Sequence, residues 1–262
     1  MKASIRPAAM AGMFYPADPL ELDRMIKQLI TEAKTEGEPP KAIVAPHAGY
    51  IYSGPVAASI YKLLLPLRGK IKRVVILGPA HRVPFFGLAV PSMDAFATPL
   101  GLAKLDKPVI EQLARLPFVQ VYDEAHKLEH SLEVQIPFIQ EVLGDVQIVP
   151  IVIGQADPDM VAAVIEPFLL DDETLVVISS DLSHYHDYNS ANTIDLMTTK
   201  AIEELRDDAI SHEQACGATG IRGLLKLAKK YGLTPKTVDL RNSGDTAGDK
   251  DRVVGYGAYA FY

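Results

Sequence analysis

The stretch TLVVISSDLSH (Thr174–His184) decides how this chain is read. It begins as a continuous apolar run, rich in β-branched residues, with no alternation. Such a run suits a strand covered on both faces of a sheet. It ends in two serines, an aspartate and a histidine within a few positions, more chemistry than a turn requires. The same ending recurs. AIVA (Ala42–Ala45) runs into PHAGY and delivers His47, and RVVILG (Arg73–Gly78) runs into PAHR and delivers His81. A fourth apolar run is VQIVPIVIG (Val146–Gly154).

Helical periodicity fills the gaps between these runs. Leu20–Lys34 places Leu22, Met25, Ile26, Leu29 and Ile30 on one stripe, and Pro55–Leu64, Asp157–Leu170, Thr193–Leu205 and Ala218–Tyr231 follow the same period. Strands alternating with helices predict an α/β fold with a mainly parallel sheet flanked by helices. The last residues, Thr234–Tyr262, read as strand, Gly/Asp-rich loop and strand, predicting an antiparallel C-terminal edge. No linker or repeat divides the chain, and one domain over 1–262 is expected.

In an open parallel sheet the carboxyl ends of the strands share one edge, where ligands bind. His47, His81, Asp181 and His184 should therefore meet there. Cys216, in QACGATG just before a helix, is a candidate fourth contributor. A thiol at a helix N-terminus is expected to have a lowered pKa. Blander readings exist for each residue. A histidine after a strand is commonly a loop residue, serines and Asp181 can cap helices, and a single cysteine is commonly a small buried hydrophobe. His212 reads as a surface residue, Tyr50 and Tyr52 as core aromatics or hydroxyl donors, and His186 and Asp187 as solvent-side residues close to the site.

A second constellation lies in DEAHKLEHSLEVQIPF (Asp123–Phe138), where His126, Glu129 and His130 spell the inverted zinc-protease signature. That reading needs an unbroken helix, and Pro137 would kink one that continued. The alternative is a mixed helix burying Leu128, Leu132, Ile136 and Ile139. A third reading keeps His130 as an acid/base or hydrogen-bonding group lining the strand-end site.

Composition narrows the function. The chain has 262 residues, 48% of them hydrophobic, and a formal net charge of −7. No basic run of five residues occurs, so a nucleic-acid surface is not expected. One cysteine rules out an internal disulfide and fits a reducing compartment. MKASIRPAAM lacks the apolar core of a secretory signal, and no apolar stretch reaches membrane-spanning length. A cytoplasmic protein without membrane partners is expected.

Several motifs in order carry a family resemblance: RPAAMAGMFYPADP, VAPHAGYIYSGPVAA, ILGPAHRVPFFGLAV, EHSLEVQIPF, SSDLSHYHDY, ACGATGI and VVGYGAYAFY. Together they span nearly the whole chain, which resembles the MEMO family, whose prokaryotic members are called AmmeMemoRadiSam system protein B. The resemblance implies a fold similar to class III extradiol (non-haem iron) dioxygenases. It implies His47, His81 and Cys216 as metal ligands, with His130, Asp181 and His184 lining the same cavity as catalytic candidates. It also implies a functional link to the radical SAM and AMMECR-type proteins of the same system. Two imidazoles and a thiolate favour iron or copper, with zinc also compatible. Two classes of function follow: a metal-dependent, dioxygenase-like oxidoreductase acting on a small molecule, or a non-catalytic peptide-binding or metal-handling module using the same pocket.

Overall fold

The structure, a computed structural model, describes residues 3–262. The first half runs β1 (Ile5–Arg6), α1 (Pro19–Glu32), β2 (Ala42–Ala45), α2 (Tyr50–Tyr61), β3 (Arg73–Pro79), β4 (Leu88–Val90), β5 (Ala95–Thr98) and β6 (Gly101–Lys104). The middle adds α3 (Lys107–Leu113), β7 (Val119–Val121), α4 (Asp123–Lys127), α5 (His130–Glu133), α6 (Gln135–Leu143) and β8 (Gln147–Ile153). The rest comprises α7 (Pro158–Leu169), β9 (Thr174–Ser179), β10 (His184–His186), α8 (Tyr188–Glu203), α9 (Ala218–Tyr231), β11 (Pro235–Asn242) and β12 (Val253–Phe261).

The expected α/β fold with a mainly parallel sheet flanked by helices is what forms. The main sheet has the order β10-β12-β2-β9-β3-β8-β4-β7, with β11 also on β12. Its centre, β2-β9-β3-β8, is all parallel. Every residue of β2 and β9 is buried, which explains their unbroken apolar runs. Each large aliphatic side chain there contributes about 1.5–3 kcal/mol by leaving water. On the helical side, α7 and α9 pack on each other and reach β9 and β3, while α1, α2 and α6 form a second group.

The four central strands coincide with the apolar runs to within a residue, and α9 fills its expected span. Helix α1 starts where Asp18 accepts a hydrogen bond from the Glu21 amide and Pro19 fixes the first turn, and its stripe buries Leu22 and Ile26. Helix α2 begins at Tyr50, five residues before the expected Pro55, which lies inside it.

One feature went unforeseen. A small second sheet, β1-β5-β6, ties the N-terminal arm to the middle of the chain. The expected antiparallel C-terminal edge forms as the β11–β12 hairpin: β11 is the outer strand, and β12 pairs with it, with β2 and, through its first residues, with β10. Strand β12 is nearly all buried, and its glycines allow close approach; a Cβ on Gly255 would stand 2.0 Å from Asp195 Oδ2.

Candidate metal centre

Three strand ends build the centre by the same step. His47, His81 and Asp181 are each the second residue beyond β2, β3 and β9, respectively. Ala45 of β2 lies in parallel register with Ser179 of β9, so the residues that follow are carried side by side. The His47 amide donates to Asp181 Oδ1 at 2.7 Å, which locks the two loops together.

Cys216 arrives from the opposite end of the chain. Its amide donates to the Asp181 carbonyl at 3.2 Å, and the Asp181 amide points back at Sγ at 3.3 Å. Gly217 makes this approach feasible. A Cβ there would stand 2.6 Å from Ser180 Cβ and 2.7 Å from the Ser179 carbonyl oxygen. The thiol lies 3.3 Å from His47 Nε2.

Hydrogen-bond accounting assigns both imidazole tautomers. Ser179 has one proton and gives it to the Ser131 carbonyl at 2.6 Å. It therefore accepts from His47 Nδ1 at 2.9 Å, and Nδ1 carries the hydrogen. That leaves the Nε2 lone pair facing Cys216. His81 Nδ1 lies 2.8 Å from Glu129 Oε1, so its Nδ1 is also the donor and its Nε2 is free. Two histidines, each braced through Nδ1, is the arrangement that prepares imidazoles as ligands.

One donor atom each from His47, His81 and Cys216 falls within 4.8 Å of the others. This donor set fits a soft transition metal: two neutral imidazole nitrogens and one sulfur. The residues that would hold it are those three.

Electrostatics follow from burial. Burial, helped by the neighbouring His130 and His81, pushes the His47 imidazole well below its usual range, so it stays neutral. Burial likewise lowers His130 and raises the Asp181 carboxyl, although the His47 amide works against the latter. The expected low-pKa thiol is corrected: burial and then the Asp181 charge push Cys216 up to about 12. Its place just ahead of α9 does not outweigh the loss of water. A metal would have to displace that proton.

His130 sits against both other imidazoles, with ring centroids 4.4 Å from His81 and 5.3 Å from His47. Its Nδ1 is buried without a hydrogen-bond partner. His184 lies on β10, half-buried and outside the ligating trio.

Glu129, His81 and His130 also form a close acidic-imidazole group. It reads as a brace rather than a second cation site, because the carboxylate is already engaged. Glu129 accepts from the His81 amide at 2.6 Å, from His81 Nδ1 at 2.8 Å and from the Ser131 amide at 3.0 Å. Burial alone would raise this carboxyl, but those partners hold it down at about 2.

The protease reading fails on backbone geometry. Helix α4 stops at Lys127, Leu128 and Glu129 are non-helical, and Glu129 caps a new helix, α5. His126 and His130 therefore share no helix face. His126 is buried against Phe96 and its Nε2 lies 3.0 Å from the Ala89 carbonyl. Pro137 kinks nothing; it lies in the first turn of α6, where a missing N–H is tolerated. Of the expected core residues there, Leu132, Ile136 and Ile139 are buried, but Leu128 is exposed. Asp187 caps α8, Tyr50 donates to the Val134 carbonyl at 2.7 Å, and His212 is exposed but pairs with Thr219.

Sequence reading missed the braces. Glu129 was visible only as a protease base, and Ser179 only as a turn or cap residue. Arg6 and Glu133 gave no signal, yet they form a fully buried ion pair at 2.6 Å. Arg6 also donates to the carbonyls of His126 and Glu129, which holds the segment carrying the brace.

Comparison with known proteins bears on the family and the fold. The family model described as Memo-like protein matches residues 6–260. A MEMO1 family protein of Aquifex aeolicus is 36% identical over 96% of this chain and 97% of its own length. One from Aeropyrum pernix is 37% identical over 97% of this chain and 98% of its own. Among solved structures, an uncharacterised Escherichia coli K12 protein superposes with a TM-score of 0.55 at 14% identity, covering 82% of this chain and 98% of that one, a likeness of fold alone. The ordered motifs, the strand-end site and these full-length matches lead to one assignment: the chain belongs to the Memo-like protein family.

Proposed function

We propose that this protein is a metal-dependent redox protein, a dioxygenase-like oxidoreductase that holds iron or copper through His47, His81 and Cys216. The observation that carries the reading is the pair of braced imidazoles: both are held through Nδ1, which leaves Nε2 available, and both have a donor atom within 4.8 Å of the only thiol of the chain. When bound, such a metal supplies one-electron redox chemistry and open coordination positions.

The chain's own residues set the rest. Asp181 Oδ2 lies 3.9 Å from His47 Nε2, and its raised carboxyl can hold a proton there. His130, kept neutral by burial and with Nδ1 3.4 Å from Glu129 Oε1, offers a second imidazole beside His81 for proton transfer. His184 stands farther out, toward solvent, as a route for protons between the site and water. Metal analysis after anaerobic purification, followed by dioxygen uptake with a panel of small molecules, tests the reading. Loss of bound metal in His47→Ala together with uptake by the parent supports it; a parent protein that binds no iron or copper refutes it.

A second reading, a non-catalytic peptide-binding or metal-handling module, has its own support. Exposed Tyr185 stands beside His184, with ring centroids 5.8 Å apart, and Arg252 lies over the Tyr185 ring at 5.2 Å. This cation–aromatic edge is suited to a peptide. Metal or peptide binding without dioxygen uptake favours it.

A further inference from the structure

We propose that the cavity lined by Cys216 and the start of α9 binds a small, uncharged aromatic molecule carrying one hydrogen-bonding group. The cavity has a volume of about 360 Å³ and lies between the ends of β3 and β8 and the start of α9. That volume is in the range of small-molecule sites.

Its walls select for a flat, apolar ring. Phe85 is a fixed wall, since its ring packs on Gly154, where a Cβ would come within 2.8 Å, and meets Tyr122 edge-on at 5.8 Å. Phe86 lines the same space yet is 76% exposed, so a large aromatic face is left in water at the mouth. Pro84 and Ile153 add apolar surface. Rings packed against such faces gain more than equal aliphatic area does, through offset or edge-on geometry.

The polar side chains are few: Gln155, His212 and Thr219, besides Cys216. His212 Nε2 and Thr219 Oγ1 lie 3.2 Å apart on one wall, and both residues line the cavity. A hydroxyl offers one donor and two acceptor positions, so this pair keeps hydrogen-bonding capacity for a ligand. Among the described residues, the lining contains no Asp, Glu, Lys or Arg. A charged ligand would shed its hydration there with no permanently charged side chain to replace it. A neutral one with a hydroxyl or ring N–H loses little.

The cavity also has a chemical neighbour. Cys216 lines it, and Sγ is the atom that faces His47 Nε2 at 3.3 Å. A ring bound here rests against Cys216, one of the three candidate ligands. The binding stands apart from the redox reading; it adds to that reading the class of molecule that would meet the centre.

The test uses the intact, metal-free chain and amide NMR titrations with three probes of similar size: phenol, cyclohexanol and benzoate. Phenol should give saturable shifts centred on Ile153, Gly154, Thr219 and Gly220. Cyclohexanol should bind roughly three- to tenfold more weakly for want of a ring. Benzoate should bind at least about tenfold more weakly because its charge has no partner. Phe86→Ala and His212→Ala, both at exposed side chains, should each weaken phenol binding with the melting temperature unchanged. Cyclohexanol or benzoate matching phenol overturns the proposal, as do phenol shifts elsewhere or shifts that both variants leave intact. Because no metal or turnover enters, a negative dioxygen-uptake result leaves this outcome untouched.

Discussion

Glu129 grips His81 at two points, taking the backbone amide on Oε2 at 2.6 Å and the ring Nδ1 on Oε1 at 2.8 Å. With the Ser131 amide at 3.0 Å, all three groups hydrogen-bonded to the carboxylate are donors. An amide side chain cannot serve, because its NH₂ would meet a donor whichever way it turned. Glu129→Gln should therefore free the His81 ring and lower metal affinity about 10- to 100-fold. Cobalt titration, followed by its visible spectrum, measures this. Parent-like affinity in that variant would remove Glu129 from the site.

Cys216 is tested by its smallest isostere. Cys216→Ser should lose metal affinity while remaining folded, with a stability change on the order of 1 kcal/mol. If the thiol were only a core filler, the variant would melt earlier yet keep its metal. Metal stoichiometry and melting temperature taken on one sample separate the two; full occupancy in the serine variant ends the ligand assignment.

His126 gives a prediction about acid stability. Burial holds its imidazole down to about 4, against an ordinary value of 6.5. Between those values the unfolded chain binds the proton and the folded chain does not. The stabilisation is thus fully present above pH 6.5 and is lost as pH falls toward 4, by about 3 kcal/mol in all. His126→Gln, which keeps a donor for the Ala89 carbonyl, should flatten that part of the profile in urea unfolding at pH 7 and pH 4.5. Metal content should not change, and its loss would revive the protease reading.

The buried pair Arg6–Glu133 should be far more sensitive than any surface pair. Glu133 also accepts from the Met10 amide at 2.8 Å and the Tyr15 hydroxyl at 2.5 Å, so removing Arg6 leaves a buried charge short of its cation. Arg6→Met should cost about 3–5 kcal/mol in chemical denaturation. The same variant should bind cobalt more weakly, because Arg6 also holds the Glu129 carbonyl at 3.1 Å. A stable variant with unchanged affinity would show that the arm does not support the centre.

The sequence by itself determined the central sheet and the direction in which its chemistry lies. Unbroken Val- and Ile-rich runs such as Thr174–Ser179 demand cover on both faces, and the residue types that follow them are local facts. His47, His81, Asp181 and Cys216 could be named on that basis and on the ordered motifs. Tertiary structure decided what those residues are to one another. That Asp181 clasps the His47 amide, that Glu129 braces a histidine 48 residues away and that Arg6 holds the carbonyl of Glu129 are long-range pairings with no sequence period. It also decided the break at Leu128, where the demand for a carboxylate at His81 overrode a helix-like pattern. The thiol followed the same rule: its place before a helix predicts a lowered pKa, but removal from water, which only packing imposes, raises it.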